Sequence, residues 1–381
     1  MNSAQSFSPD YQTARTKFLA AARDAGATLE AILHPERGPD GGDLATDVAL
    51  IGPREAESVL VTISATHGVE GFCGSGAQVD WLRREEYRAL PGGTAVLMVH
   101  AINPYGFAWL RRVTNENVDL NRNWIDFDAP RPQNPGYEAL ADLICPPEWT
   151  ADVQALTTKA LMAFADEHGF AALQQALTAG QYTHPQGVFF GGNEPTWSRG
   201  TQTKIFEHYL RHAARIAIID YHSGLGPPGF GEQIVDRLHS PGYRRAANWY
   251  GGAVKSPVVG GDSTSAHLVG GGLPFALNLL SQAELTGMAL EFGTKPMTAV
   301  LNAVRADAWL HAYGDPLSPE GRLIQAEVRD AFFSDADDWK GMVAGQSLLA
   351  TRQALRGLSA DPGLTHPTAV SRASKSESLH Y

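Results

Sequence analysis

Ser58-Val-Leu-Val-Thr-Ile-Ser64, followed at once by Ala65-Thr-His-Gly-Val-Glu-Gly71 and a helical stretch to about Arg84, decides the fold. The first piece is an unbroken apolar, β-branched run, which reads as a strand buried on both faces. A strand that passes through a glycine-bearing turn into a helix is the first half of a parallel βα unit. Working outward, the same signature returns in Asp47-Val-Ala-Leu-Ile-Gly52 and in Thr94-Ala-Val-Leu-Met-Val-His100, which ends at the turn Asn103-Pro-Tyr-Gly106. It returns again in Gly187-Val-Phe-Phe190, in Ala214-Arg-Ile-Ala-Ile-Ile-Asp-Tyr221 and in Gly287-Met-Ala-Leu-Glu-Phe-Gly293. Helical spacing of apolar groups is expected over residues 9–33, 150–180, 296–313, 318–333 and 337–356. The alternation predicts an α/β fold, with a mostly parallel mixed central sheet and helices on both faces. Ligands of such sheets bind at the carboxyl ends of the strands.

Three segments make up the chain in this reading. Residues 1–40 form an N-terminal helical segment, 41–357 the main domain, and 358–381 a polar tail expected to be mobile. A proline-rich entry, Ala129-Pro-Arg-Pro-Gln-Asn-Pro135, opens a helical insertion of about 128–200 that could cap a cleft or mediate oligomerisation.

Composition excludes several classes. With 43% hydrophobic and 19% charged residues the chain is an ordinary globular one, not a disordered one. A formal net charge of −11 disfavours nucleic acid and anionic membranes as partners. Two cysteines, Cys73 and Cys145, make no disulfide framework. Met1 to Asp24 lacks the apolar run of about 7–15 residues that a secretory signal needs. No run of about 18 apolar residues could span a bilayer. A cytoplasmic enzyme is the expectation.

The chemistry-bearing residues cluster at the ends of the strand-like runs. His67 and Glu70 lie three apart on a turn leaving a buried strand, so an imidazole and a carboxylate can aim at one point. Hydrolytic zinc sites take three protein ligands from such groups and keep one position open. Alone, the pair would equally suit a surface histidine and a glutamate at the positive end of a helix. Asn117-Val-Asp-Leu-Asn-Arg-Asn-Trp124 is a dense polar cluster preceded by Arg111 and Arg112, and an arginine fork suits a carboxylate. His222 closes the run Ile216-Ala-Ile-Ile219, with Asp220 two residues earlier and Ser223 after it. A Ser-His-Asp triad does not fit, because neighbours along a strand face opposite ways and no Gly-x-Ser-x-Gly elbow occurs. Glu291 stands inside an apolar strand, where a lone charge is costly unless it is paired or functional.

In this order the pieces resemble the zinc carboxypeptidase superfamily, which includes aspartoacylase and succinylglutamate desuccinylase. The resemblance spans about residues 45–295. It implies that His67, Glu70 and His222 hold one Zn2+ per chain and that Glu291 is the general base. It implies further that Asp119 orients the first histidine and that Asn121 and Arg122 grip the substrate's free carboxylate. Arg112 resembles the arginine that polarises the scissile carbonyl, with Arg111 left open for that role. Tyr243 and Tyr250 fall where relatives place a mobile tyrosine, but neither sits in a matching motif. His100 and His184 receive no role. The loop Gly260-Gly-Asp-Ser-Thr-Ser-Ala-His267 either shapes a specificity pocket or is plain surface.

The function expected is a metallopeptidase of carboxypeptidase type acting on small peptides. The alternative is an N-acyl amino acid amidohydrolase, with a non-catalytic zinc-binding relative as a third reading. Whether the chain forms a homo-oligomer is left open.

Overall fold

A computed structural model of the chain describes residues 2–236, 240–257, 263–266 and 268–360. Seven strands form one sheet: β1 (Thr28–Arg37), β2 (Asp43–Ile51), β3 (Ser58–Ile63), β4 (Thr94–His100), β5 (Arg215–Pro228), β6 (Gly231–Ile234) and β7 (Glu284–Gly293). Their order is β1-β2-β4-β3-β5-β7-β6. The inner four run parallel, and β1, β2 and β6 join antiparallel at the edges. The expected mixed sheet with a parallel centre is therefore present.

Helices cover both faces. In chain order they are α1 (Tyr11–Asp24), α2 (Gly71–Arg83), α3 (Pro104–Ala108), α4 (Leu120–Asn123), α5 (Pro135–Ile144), α6 (Ala151–His168), α7 (Phe170–Thr178) and α8 (Trp197–Leu210). Then come α9 (Pro241–Tyr250), α10 (Gly272–Leu279), α11 (Met297–Tyr313), α12 (Pro319–Phe332) and α13 (Asp337–Ser359). Strand alternation splits the core in two. Val59, Val61 and Ile63 of β3 pack with Ile205 and Phe206 of α8, while Leu60 points to the other layer with Phe72 of α2 and Leu358 of α13. Each such side chain, wholly removed from water, contributes about 1.5–3 kcal/mol. No helix among the described residues is long and apolar enough to cross a membrane.

Two strand and helix expectations need correction. The helix expected over 9–33 stops at Asp24, and Thr28–Arg37 is the sheet's first edge strand. Gly26 adopts φ +71, and the N–H of Ala27 reaches back to the carbonyl of Ala22, so the helix ends in a left-handed glycine cap. Gly187–Phe190 makes no strand: Phe189 has φ +54, and only a single bridge joins Phe190 to Gln181. Within the region read as a helical insertion, α5, α6 and α7 pack on one another. Of the loop 260–267, residues 260–262 and 267 lie outside the described residues, as does the tail from 361 on; residues 358–359 are the last of α13.

Candidate metal centre

His67 has extended backbone and heads a single 3-10 turn, Gly68–Glu70, that runs directly into α2. The turn is braced from behind. A β carbon on Gly68 would collide with the backbone of Gly106, so only glycine permits this approach. The N–H groups of Gly68 and Val69 donate to the carbonyls of Arg112 and Arg111 at 3.0 and 2.8 Å. Asn103 in turn caps α3, its Oδ1 accepting from the Gly106 N–H at 2.9 Å. The Asn-Pro-Tyr-Gly motif thus serves as scaffolding for the His67–Glu70 turn.

The third group arrives on the sheet. Asp220 and His222, two apart on β5, share a face, and the parallel register sets His222 beside Glu291 of β7. The two histidines meet through Nδ1, 3.2 Å apart, with Glu70 bridging them: Oε1 lies 2.9 Å from His67 Nδ1 and Oε2 lies 3.0 Å from His222 Nδ1. All three side chains are buried. The three donor atoms lie within 4.8 Å of one another. Two imidazoles and a carboxylate are the donor set of hydrolytic zinc sites.

Both outward-facing histidine nitrogens are backed by carboxylates. His67 Nε2 lies 3.2 Å from Asp119 Oδ1, and His222 Nε2 lies 2.9 Å from Asp220 Oδ2. At His222 the carboxylate at Nε2 keeps the proton there and turns the Nδ1 lone pair inward, which is what a metal requires, whereas His67 Nε2 lies between Asp119 and the Arg112 guanidinium. Asp220 is itself fixed by the Thr66 hydroxyl at 2.7 Å. Burial works against Asp119's charge, but Arg122, Arg112 and His67 outweigh it and hold the carboxyl well below its usual range. Burial likewise opposes Glu70's charge, and His67 and Arg112 overcome it. For His222 burial disfavours the imidazolium, yet Asp220 and Glu70 raise its pKa well above the usual value. Two buried imidazole nitrogens and a buried carboxylate converging on one point are a donor set that fits a divalent cation.

Glu291 has its Oε1 capped by the Leu225 N–H at 2.9 Å. Burial, and then the charge of Glu70, push its pKa up to about 7.

The arginines separate cleanly. Arg112 reaches the centre, with Nη1 2.5 Å from Glu70 Oε1, Nη2 2.9 Å from His67 Nε2 and Nε 3.3 Å from Asp119 Oδ2. Arg111 points away and is held by Asp307 and Asn117. Arg122 lies on the cavity wall but is almost fully employed. Nε and Nη2 donate to the Thr178 carbonyl, and Nη1 donates to Asp119 and to the Asn121 carbonyl, which leaves one N–H on Nη2 without an acceptor among the described residues. Asn121 Oδ1 accepts from the Gly272 N–H at 3.2 Å, and its amide stays on the cavity wall.

A cavity of about 200 Å³ opens over His67, His222 and Glu291. Its roof is α6 and α7, from the region read as an insertion, and α11 forms another wall. Neither Tyr243 nor Tyr250 lines it. His100 is core, stacked on Phe18, and His184 lies by Tyr137.

Sequence reasoning missed Asp220 as the orienting partner of His222. Its signal was available, since residues two apart on a strand share a face. It took the α6–α7 region as an insertion that could cap a cleft, without identifying Phe170, Leu173 and Leu177 as the apolar wall over the centre.

A family model described as "Protein of unknown function (DUF2817)" matches residues 7–346. No curated protein sequence matches the chain. Among solved structures, bovine thrombin-activatable fibrinolysis inhibitor in complex with tick carboxypeptidase inhibitor is similar at 9% identity and TM-score 0.45, covering 92% of this chain and 97% of its own. Carboxypeptidase A from Helicoverpa armigera is similar at 10% identity and TM-score 0.48, covering 92% and 73%. An aspartoacylase family protein from Mesorhizobium loti is similar at 14% identity and TM-score 0.36, covering 76% and 67%. Likeness this distant leaves the function to be read from the site itself.

Proposed function

For this chain, which belongs to the DUF2817 family, we propose zinc-dependent hydrolysis of an amide bond beside a free carboxylate. One observation carries it: two Nδ1 atoms and one carboxylate converge from a strand-end turn and a neighbouring strand, with Glu291 in register beside them. His67, Glu70 and His222 would hold one Zn2+. A zinc ion, when bound, polarises a carbonyl and lowers the pKa of a water toward about 7.

The protein's own groups do the rest. Glu291 accepts a proton from the attacking water and delivers it to the departing amine, a task suited to a carboxyl whose pKa burial raises and which stands in register beside His222. Arg112 supplies the cationic donor for the developing oxyanion, and losing such a donor costs about 10²–10³ in rate. The free N–H of Arg122 and the amide of Asn121 bind the substrate's carboxylate. Asp220 keeps the His222 imidazole in the ligating tautomer, and Asp119 helps hold the His67 ring in place.

The α6–α7 roof covers the centre and favours small amides over the tails of folded proteins. This enclosure supports an N-acyl amino acid substrate as strongly as a short peptide with a free C-terminus. The test compares turnover by the zinc-reconstituted enzyme on dipeptides and on N-acetyl amino acids, each with its carboxylate free or amidated. Hydrolysis of the free acids, lost on amidation, is the expected result. Equal hydrolysis of the amidated forms would remove the carboxylate requirement.

A further inference from the structure

Above its polar floor the cavity over the centre is lined mainly by apolar side chains, with Gln174, Thr178, Asp236, Ser265 and Thr298 as the polar exceptions among the described residues. Its roof is built from Phe170, Leu173 and Leu177, at positions i, i+3 and i+7 of α7, joined by Met162 of α6. Leu273 and Pro274 of α10 form one side, and Met297, Val300, Leu301 and Val304 of α11 form the other. Leu173, Leu177, Val300 and Val304 are each buried although they face the cavity, while Phe170 is 49% exposed, so the apolar wall is deep at its base and open at the Phe170 rim. Beyond the floor groups, Asp236 is the one charged side chain that lines it among the described residues. Gln174, also on α7, ties the roof down by donating to the Thr264 carbonyl at 3.2 Å. That loop is fixed in turn by Glu232, which accepts from the Ser263 hydroxyl at 2.7 Å and from the Thr264 N–H at 3.1 Å.

A site for acetyl or succinyl groups would need little apolar wall and more polar partners, because each buried polar atom must find a hydrogen bond. A mainly apolar chamber above a polar floor instead rewards hydrocarbon, which it removes from water at little polar cost. We infer that the preferred substrates carry a bulky apolar group next to the scissile amide, and that the α7 face of Phe170, Leu173 and Leu177 selects it. This inference rests on the hydrolase reading for its word substrate, but the chamber's affinity for hydrocarbon does not. Two sources share the chemistry, an aliphatic acyl chain and a large apolar amino acid side chain.

Binding is measured first, by calorimetry of straight-chain carboxylates from acetate to decanoate on the full chain, with and without zinc. The expected result is a gain on the order of fourfold in affinity per added methylene until the chamber is full. Phe170→Gln, at a half-exposed position that tolerates polarity, and Leu173→Ala should each flatten that slope while leaving acetate binding unchanged. Affinity independent of chain length would overturn the inference and leave the hydrolase reading standing. Turnover then separates the sources: N-decanoyl-glycine against N-acetyl-glycine for the acyl chain, and N-acetyl-phenylalanine against N-acetyl-alanine for the side chain. A kcat/KM advantage of tenfold or more for the larger member of either pair supports the inference and names the source, and no advantage in both pairs overturns it. A steep binding slope without hydrolysis of any amide would support the chamber and overturn the hydrolase reading instead.

Discussion

Glu291 and Asp220 are the two residues whose roles are most sharply separable by mutation. Glu291→Gln keeps the size of the side chain and the hydrogen bond from Leu225, and removes the proton acceptor. Zinc content should be unchanged, while kcat falls by about 10²–10⁴; retention of more than a tenth of the activity would contradict the base assignment. Asp220→Asn leaves the Thr66 contact available but weakens the hold on the His222 Nε2 proton. Zinc affinity should fall about 10–100-fold, as it does when a partner that orients a ligand is lost. Competition with a chelator measures this, and unchanged affinity would make Asp220 a structural residue only. Arg111→Lys, by contrast, acts on the Asp307 pairing, so its effect belongs in thermal stability and not in kcat.

Elements differ in how plainly their sequences announce them. The β3–turn–α2 unit and β4 were legible because a strand buried on both faces must be an unbroken apolar run, and Val59 to Ile63 and Ala95 to Val99 are such runs. Edge strands lack that signal. β6 is four residues long, and β1 mixes Glu30 and His34 among apolar groups whose spacing continued that of α1, so only the left-handed cap at Gly26 separates strand from helix. The convergence of His67, Glu70 and His222 was legible through the resemblance, together with strand-end placement. Asp220's partnership and the substrate chamber were not, since they depend on which face a strand turns and on which helix lies over it. At this scale His100, the last residue of β4, makes a test. Burial, helped by the charge of Arg15, lowers its pKa to about 3, so the folded state holds the imidazole neutral where an unfolded chain would protonate it near 6.5. Its contribution is fully present above about pH 6.5 and is lost as pH falls toward 3, by at most about 1.4 kcal/mol per pH unit. Thermal melts of wild type and His100→Gln over that range should converge as the pH drops. A gap between them that is independent of pH would show that His100 does not titrate on unfolding.

At the scale of the whole molecule, one design places every group. The parallel centre of the sheet brings His67, His222 and Glu291 together at the carboxyl ends of β3, β5 and β7, and the Asn103–Gly106 and Arg111–Arg112 segments stitch the His67–Glu70 turn in place. The α5–α7 cluster then encloses the result. The central claim is that this arrangement is a metal site. Elemental analysis of the purified chain after zinc reconstitution and desalting tests it most directly, alongside the variants Glu70→Ala and His222→Ala. One zinc per wild-type chain, falling close to zero in both folded variants, is the result predicted here. A wild-type chain that retains no zinc, or variants that retain as much as wild type, would contradict it.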